Sequence, residues 1–405
     1  MGLPENSKSL DSANLSVMVV AGEASSDLHA ANLARSIASR IPGVEIFGMG
    51  GTSLREAGVE TIVDSETAAS VMGFTEVIGK LGDLKKALNS LVEAAEQRKP
   101  DVIVLVDFPD FNFFLARAIK KSKNFSSAPK IMHFITPTIW AWRKGRIKTV
   151  KRYIDKVAPI FPFEEKFFSD SGVQAEYVGH PFLDSEVVRP KKKDFLSNVG
   201  LPEDSELVGI VPGSRKAEIE LLLPVMVEAY QLLKRDHPQL KALLPVAPSL
   251  KKEFIEEFIS KDSGIVLVEG SAFEVLSLSK VSLVASGTVT VEGALAKAPM
   301  VVAYKMSGVS YWIAKLLIRG LKSFAMPNIL ANDKFLPELL QEQVTAGNLA
   351  SEAEKFLVEE EYSNRVQEKL EEVHSMLHLK KEDGRGGTAS ERAATIALEL
   401  AGVEV

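Results

Sequence analysis

The stretch Val281–Met300, VSLVASGTVTVEGALAKAPM, decides how the fold is understood. Val281, Leu283 and Val284 belong to an apolar run that stops at Ser286-Gly287-Thr288. A helix-compatible segment carrying Glu292 follows, and Pro299 closes it before a new apolar run. The pattern is strand, small-residue turn, helix. Such a turn leaves backbone N–H groups and two hydroxyls at a helix N-terminus, where an anion such as a diphosphate is stabilised. Glu292 can accept hydrogen bonds from sugar hydroxyls. An ordinary βα turn with a surface glutamate has the same appearance, so the rest of the chain must decide.

The device recurs. Ser16–Ala21 (SVMVVA) reads as a buried parallel strand ended by Gly22, and GEASSDLHAANLARSIASR continues as a helix capped by Ser25, Ser26 or Asp27. Leu207–Val211 ends at Pro212-Gly213-Ser214-Arg215-Lys216, before a helix through about Arg235. Between them, strands at Val59–Val63, Asp101–Val106, Lys130–Ile135 and Ala175–Val178 alternate with helical segments. Further strands follow near Ala242–Val246, Ile265–Val268 and Val301–Tyr304. That alternation specifies parallel sheets covered by helices, with ligands beyond the carboxyl ends of the strands. No G-x-G-x-x-G follows the first strand, which argues against a dinucleotide-dependent dehydrogenase.

With 405 residues, two to three domains are expected. A hydrophobic fraction of 46% with 25% charged residues belongs to a globular protein with large cores. The net charge of −6 recruits neither nucleic acid nor acidic lipid, so such binding needs a local patch. Cysteine is absent, which excludes disulfides and thiolate sites and fits a reducing compartment. The polar start MGLPENSKSLDSANL lacks a signal-peptide core, and no apolar run approaches the ~20 residues needed to cross a bilayer. A cytoplasmic protein with at most peripheral membrane contact is expected.

Several segments carry candidate chemistry. Asp107-Phe108-Pro109-Asp110-Phe111-Asn112 sets two carboxylates and an amide among aromatic rings at a strand's carboxyl end. Desolvation by Phe108 and Phe111 would raise a carboxylate's pKa and make it a better base; alternatively one Asp caps a helix starting near Phe113. Trp140 and Trp142 precede Arg143, Lys144, Arg146, Lys148, Lys151 and Arg152, a pattern shared by nucleic-acid binders, sites for a phosphate-bearing ligand, anionic membrane contacts and plain solvated helix faces. Gly179-His180-Pro181 places a histidine in a turn, and Arg215 suits bidentate phosphate binding. Val309–Lys322 mixes Trp, Tyr and aliphatics with cations, as does an interfacial helix or a core helix with snorkelling ends. Ala325–Ile329 reads as a loop in which Pro327 turns Asn328 towards a ligand. His374 and His378 share the spacing of a metal pair without evident carboxylate ligands, so the reading includes no metal.

Taken in order, GEASSDLHAANL, VMGFTEVIGKL, DFPDFN, TPTIWAWRKGRIKTVKR, FPFEEKFF, GHPF, PGSRKAEIELLLP, ASGTVTVEGALAKAPMVVAYK and PNILANDKFLPELLQE resemble the lipid-A-disaccharide synthase family, from about Ser16 to Leu400. The resemblance implies an α/β protein of two Rossmann-like domains facing each other across a cleft. It implies transfer of 2,3-diacylglucosamine from UDP to 2,3-diacylglucosamine 1-phosphate with inversion. It also implies Asp110 as the catalytic base. Ser214, Arg215, Ser286, Gly287, Thr288, Glu292 and Asn328 would hold the UDP-sugar, and Glu23, Ser25, His29, Trp142 and His180 the acceptor or cleft. Ser26 stands where the family usually has glycine. No cofactor or nucleic acid is called for, peripheral contact with an anionic inner membrane is expected, and a homodimer is left open. The expected divisions are a disordered tail 1–15, domains 16–185 and 207–380 joined by a linker 186–206, and a last helix within 381–405 that can pack back on the first domain. Val71–Leu81 and Val309–Ile318 are candidates for an acyl groove.

Overall fold

The computed structural model describes residues 15–66, 77–141, 143–184, 189–247, 250–260, 262–270, 272–306, 323–378 and 387–404. Residues 1–14 of the tail, Trp142, the segment 309–322 and positions 71–76 of the acyl-groove candidate lie outside them. The chain divides into two compact units, Met1–Glu186 with Leu379–Val405, and Val187–His378.

The first unit is built on a parallel six-stranded sheet. Its strands are β1 (Ser16–Ala21), β2 (Glu45–Gly50), β3 (Glu60–Asp64), β4 (Val102–Val106), β5 (Lys130–Phe134) and β6 (Lys156–Ala158), in the order β3-β2-β1-β4-β5-β6. β1 and β4 are buried along their whole length, which is why they read as unbroken apolar runs rather than alternating ones. Leu15, assigned to the tail from sequence, is buried, and its carbonyl accepts from Glu45 N at 2.9 Å. The second unit repeats the plan with β7 (Glu206–Val211), β8 (Leu240–Val246), β9 (Ile265–Glu269), β10 (Val281–Ala285), β11 (Met300–Tyr304) and β12 (Glu338–Leu340), in the order β12-β11-β10-β7-β8-β9. Each sheet therefore has one switch point where the winding reverses, between β1 and β4 in one and between β7 and β10 in the other. The turns leaving those strands flank the crevice where such sheets bind ligands.

Several local expectations are corrected. Helix α1 (Ala24–Arg40) is capped by Glu23 rather than by Ser25, Ser26 or Asp27. The Ser26 hydroxyl accepts from Glu23 N (3.0 Å) and donates to Glu23 O (2.8 Å), closing the first turn on itself. Asp27 instead ties this turn to the next one, accepting from Gly51 N at 2.6 Å and Ser53 N at 2.8 Å. Helix α2 (Pro109–Lys121) starts four residues before the expected Phe113, because Pro109 is suited to the first turn. Ala175–Val178 forms only an isolated bridge beside β6; β6 stops at Pro159, which has no N–H to extend the ladder.

Within the stretch read as a linker, Lys192–Asn198 is helical and Leu196 is buried. The presumed loop at 325–329 contains helix α6 (Met326–Ala331), again with proline in its first turn. Between α2 and α6 the chain also forms helices α3 (Pro162–Asp170), α4 (Lys216–Asp236) and α5 (Val289–Leu295). The last helix, α7 (Ala389–Leu400), packs on α1, and Arg40 donates to Thr395 Oγ1 at 2.6 Å. Among the described residues no helix is long and apolar enough to cross a membrane.

Candidate functional site

In the second unit a cavity of about 690 Å³ opens at the switch point between β7 and β10, lined by Ser214, Arg215, Ser286, Gly287, Thr288 and Glu292, among others. All six were singled out from the sequence. Gly213 leaves β7 with φ +102°, a conformation that L side chains rarely adopt, and this bends the chain into the Arg215 cap of α4. Arg215 is exposed and pairs with Glu218 at 3.0 Å on the first turn of its own helix. Across the cavity, Ser286 N donates to Ala303 O at 2.9 Å, while the N–H groups of Gly287, Thr288 and Val289 have no acceptor among the described residues. Because α5 has only seven residues, those three oriented donors matter more than its dipole. Glu292 is half-buried beside them, its carboxyl has no partner among the described residues, and desolvation pushes its pKa up to about 7. The arrangement can take an anion against N–H groups and a guanidinium, and hydroxyls against one carboxylate.

Asn328 does not belong to this lining. It is 1% exposed, donates to Leu336 O at 2.9 Å and Glu338 Oε1 at 2.8 Å, and accepts from Leu336 N at 2.9 Å. The expectation that Pro327 aims it at a ligand fails because the protein itself uses the amide. Its partner Glu338, in an apolar run after Pro337, escaped the sequence reading.

In the first unit, the turns after β1 and β4 meet at the other switch point. A Cβ on Gly22 would lie 2.3 Å from the Phe108 ring, so this close approach needs glycine. Asp107 and Phe108 both have positive φ (48° and 49°), and Asn112 Nδ2 donates to Asp107 O at 2.6 Å to hold that bend. The two carboxylates of the loop then part company. Asp110 is 68% exposed and forms ion pairs with Arg146 and, at 3.6 Å, with Arg143. Phe108 and Phe111 do not desolvate it. The carboxyl they were expected to create is Asp107, pushed up to about 6 by burial, then by the nearby Glu23 charge, against a hydrogen bond from Phe108 N–H.

Glu23 and Ser25 are exposed at the start of α1. His29, further along α1, and His180, in the turn after residue 179, are held neutral by burial, at about 4 and about 3. His180 Nδ1 accepts from Phe182 N at 3.3 Å and its ring packs on Phe161 (5.5 Å). The basic segment is anchored by a carboxyl that sequence reasoning missed. Glu164, in the first turn of α3, accepts from Trp140 Nε1 at 2.9 Å and Phe161 N at 3.3 Å, and burial raises its pKa to about 7. Structure thus joins Asp110, Arg143 and Arg146, which lie apart in sequence, into one charged cluster.

The chain matches the model of a family described as lipid-A-disaccharide synthetase over residues 17–391. A lipid-A-disaccharide synthase of Geobacter sulfurreducens is 38% identical over 392 residues, covering 96% of this chain and 98% of the relative. Among solved structures, an S. aureus MnaA–UDP co-structure superposes with a TM-score of 0.63 at 14% identity, over 95% of this chain and 97% of that one. The glycosyltransferase of kitacinnamycin gives 0.61 at 14% identity, over 95% and 98%. At these identities the two structures share the fold.

Proposed function

Because the chain belongs to the lipid-A-disaccharide synthetase family, and is therefore a glycosyltransferase of lipid A synthesis, we propose that it moves 2,3-diacylglucosamine from UDP to the 6-hydroxyl of 2,3-diacylglucosamine 1-phosphate. The products are a β-1,6-linked disaccharide phosphate and UDP, with inversion at the anomeric carbon. The observation that carries this reading is the cavity of the second unit, where N–H groups and Arg215 stand beside the carboxyl of Glu292, and neither those N–H groups nor that carboxyl has a partner among the described residues.

The departing diphosphate is taken against the Ser286–Thr288 turn and Arg215, which neutralise its growing charge. Glu292 accepts from the ribose hydroxyls. In the first unit Asp110 takes the acceptor's hydroxyl proton as the bond to an oxocarbenium-like carbon forms, a contribution of roughly 10²–10⁴-fold. Arg143 and Arg146 pair with Asp110, and an incoming acceptor phosphate competes for the same cations and frees the carboxylate. Each unit thus supplies one half of the chemistry from the switch point of its own sheet. The exposed cations Lys144, Lys148, Lys151 and Arg152 face an anionic inner-membrane surface.

The test is the purified chain with both diacylated substrates, scored by mass spectrometry. Disaccharide phosphate and UDP are expected with and without chelator. Asp110→Asn, still folded, is expected to lose about 10²–10⁴-fold in turnover while retaining UDP binding. Near-wild-type turnover in that variant would remove Asp110 as the base. Epimerised UDP-sugar without acceptor consumption would replace the reading altogether.

A further inference from the structure

Glu338 begins the three-residue strand β12, opposite Val302 of β11, and is 7% exposed. Its carboxylate accepts from Phe324 N (3.1 Å to each oxygen), Ala325 N (2.9 Å) and Asn328 Nδ2 (2.8 Å). Among the described residues it forms no ion pair, so N–H dipoles alone meet its carboxyl oxygens. Two of those donors lie in the backbone that enters α6. That backbone in turn holds the turn lining the cavity, since Ser286 Oγ donates to Phe324 O at 3.3 Å. Met326 N donates to Thr290 Oγ1 at 3.4 Å, and Thr290 Oγ1 donates to Gly287 O at 2.7 Å. Thr290 is fully buried on α5 and does not line the cavity.

We propose that Glu338 is a positioning residue for the donor's diphosphate, fixing the backbone at 324–326 and through it the aim of the Ser286–Thr288 turn. The inference rests on the reading that this turn cradles the UDP-sugar. It also accounts for Asn328, whose amide completes the Glu338 shell and clamps Leu336 rather than touching a ligand. All three donors reach Oε1, and Phe324 N is shared with Oε2, so the carboxylate presents an acceptor on both sides of that N–H. A glutamine whose oxygen stays at the Oε1 position turns its NH₂ towards Phe324 N, and the flipped amide turns it towards all three donors, so a buried donor faces a donor either way.

The experiment measures UDP affinity by calorimetry on the full chain for wild type, Glu338→Gln and Thr290→Val. Folding is verified by circular dichroism, and the Michaelis constants of donor and acceptor are measured alongside. Expected is a loss of UDP affinity of about tenfold in Glu338→Gln. The donor's Michaelis constant should rise with it while the acceptor's stays within about twofold, a split that general loosening would not produce. Thr290→Val, which keeps the shape but cuts both hydroxyl links, is expected to weaken UDP in the same direction. The double variant should fall short of the sum. Wild-type affinity in a folded Glu338→Gln, or in Thr290→Val if the first variant does not fold, overturns the inference while leaving the cradle standing. A wild-type chain that binds no UDP overturns both.

Discussion

Glu292 is the residue whose environment makes the sharpest demand on a ligand. Burial raises its pKa to about 7 and no donor among the described residues reaches it, so ionisation is costly there as pH rises through 7 and costs nothing well below it. Ribose hydroxyls would donate to the carboxylate, favour the ionised form and drive the proton off. At pH 7, UDP binding to wild type is expected to release about half a proton more than binding to Glu292→Gln. Calorimetry in buffers of different ionisation enthalpy reads this directly, and equal release would take Glu292 off the ligand. At this scale the sequence revealed residue types but not their surroundings. Asp107 and Asp110, three positions apart, differ because one is desolvated beside the Glu23 charge and the other reaches Arg146, 36 positions away. Asn328 likewise turned inward because Leu336 and Glu338 were there to receive it.

Elements were legible where a local signal suffices. β1, β4 and β10 are apolar runs bounded by small residues, and they form close to where those runs start and stop. What failed were elements made by their neighbours. β12 has three residues and exists because β11 offers it an edge, and Ala175–Val178 is not a strand because β6 ends at a proline. The start of α7 is the clearest case of a remote cap. Thr388 accepts from Glu391 N at 3.2 Å within the helix, but Ala389 N and Ser390 N donate to Asp184 at 2.7 and 2.9 Å, more than 200 residues earlier in the chain. Asp184→Ala is expected to cost about 1–2 kcal/mol, read as a lower urea midpoint at neutral pH. An unchanged midpoint would mean that water replaces the carboxylate without loss.

For the whole molecule, charge and its placement pull in different directions. The net charge is −6, yet exposed cations gather at 143–152. A chain that is repelled overall can still bind an anionic bilayer through one face, at about 1 kcal/mol per cation near the surface and with strong screening by salt. Flotation with vesicles containing phosphatidylglycerol is therefore expected at low salt, and to be lost in Lys148→Glu with Lys151→Glu or at about 1 M salt. Flotation indifferent to both would move membrane contact away from this segment. The parallel α/β class and the turns at 213–215, 286–288 and 107–110 follow from the sequence alone, since apolar runs ending in turns are properties of adjacent residues. Which acid is buried, which arginines pair with Asp110, and how Glu338 is linked to the Ser286–Thr288 turn were decided only in the tertiary structure. Each depends on groups far apart in the chain meeting in space, where burial and neighbouring groups together set the cost of a charge.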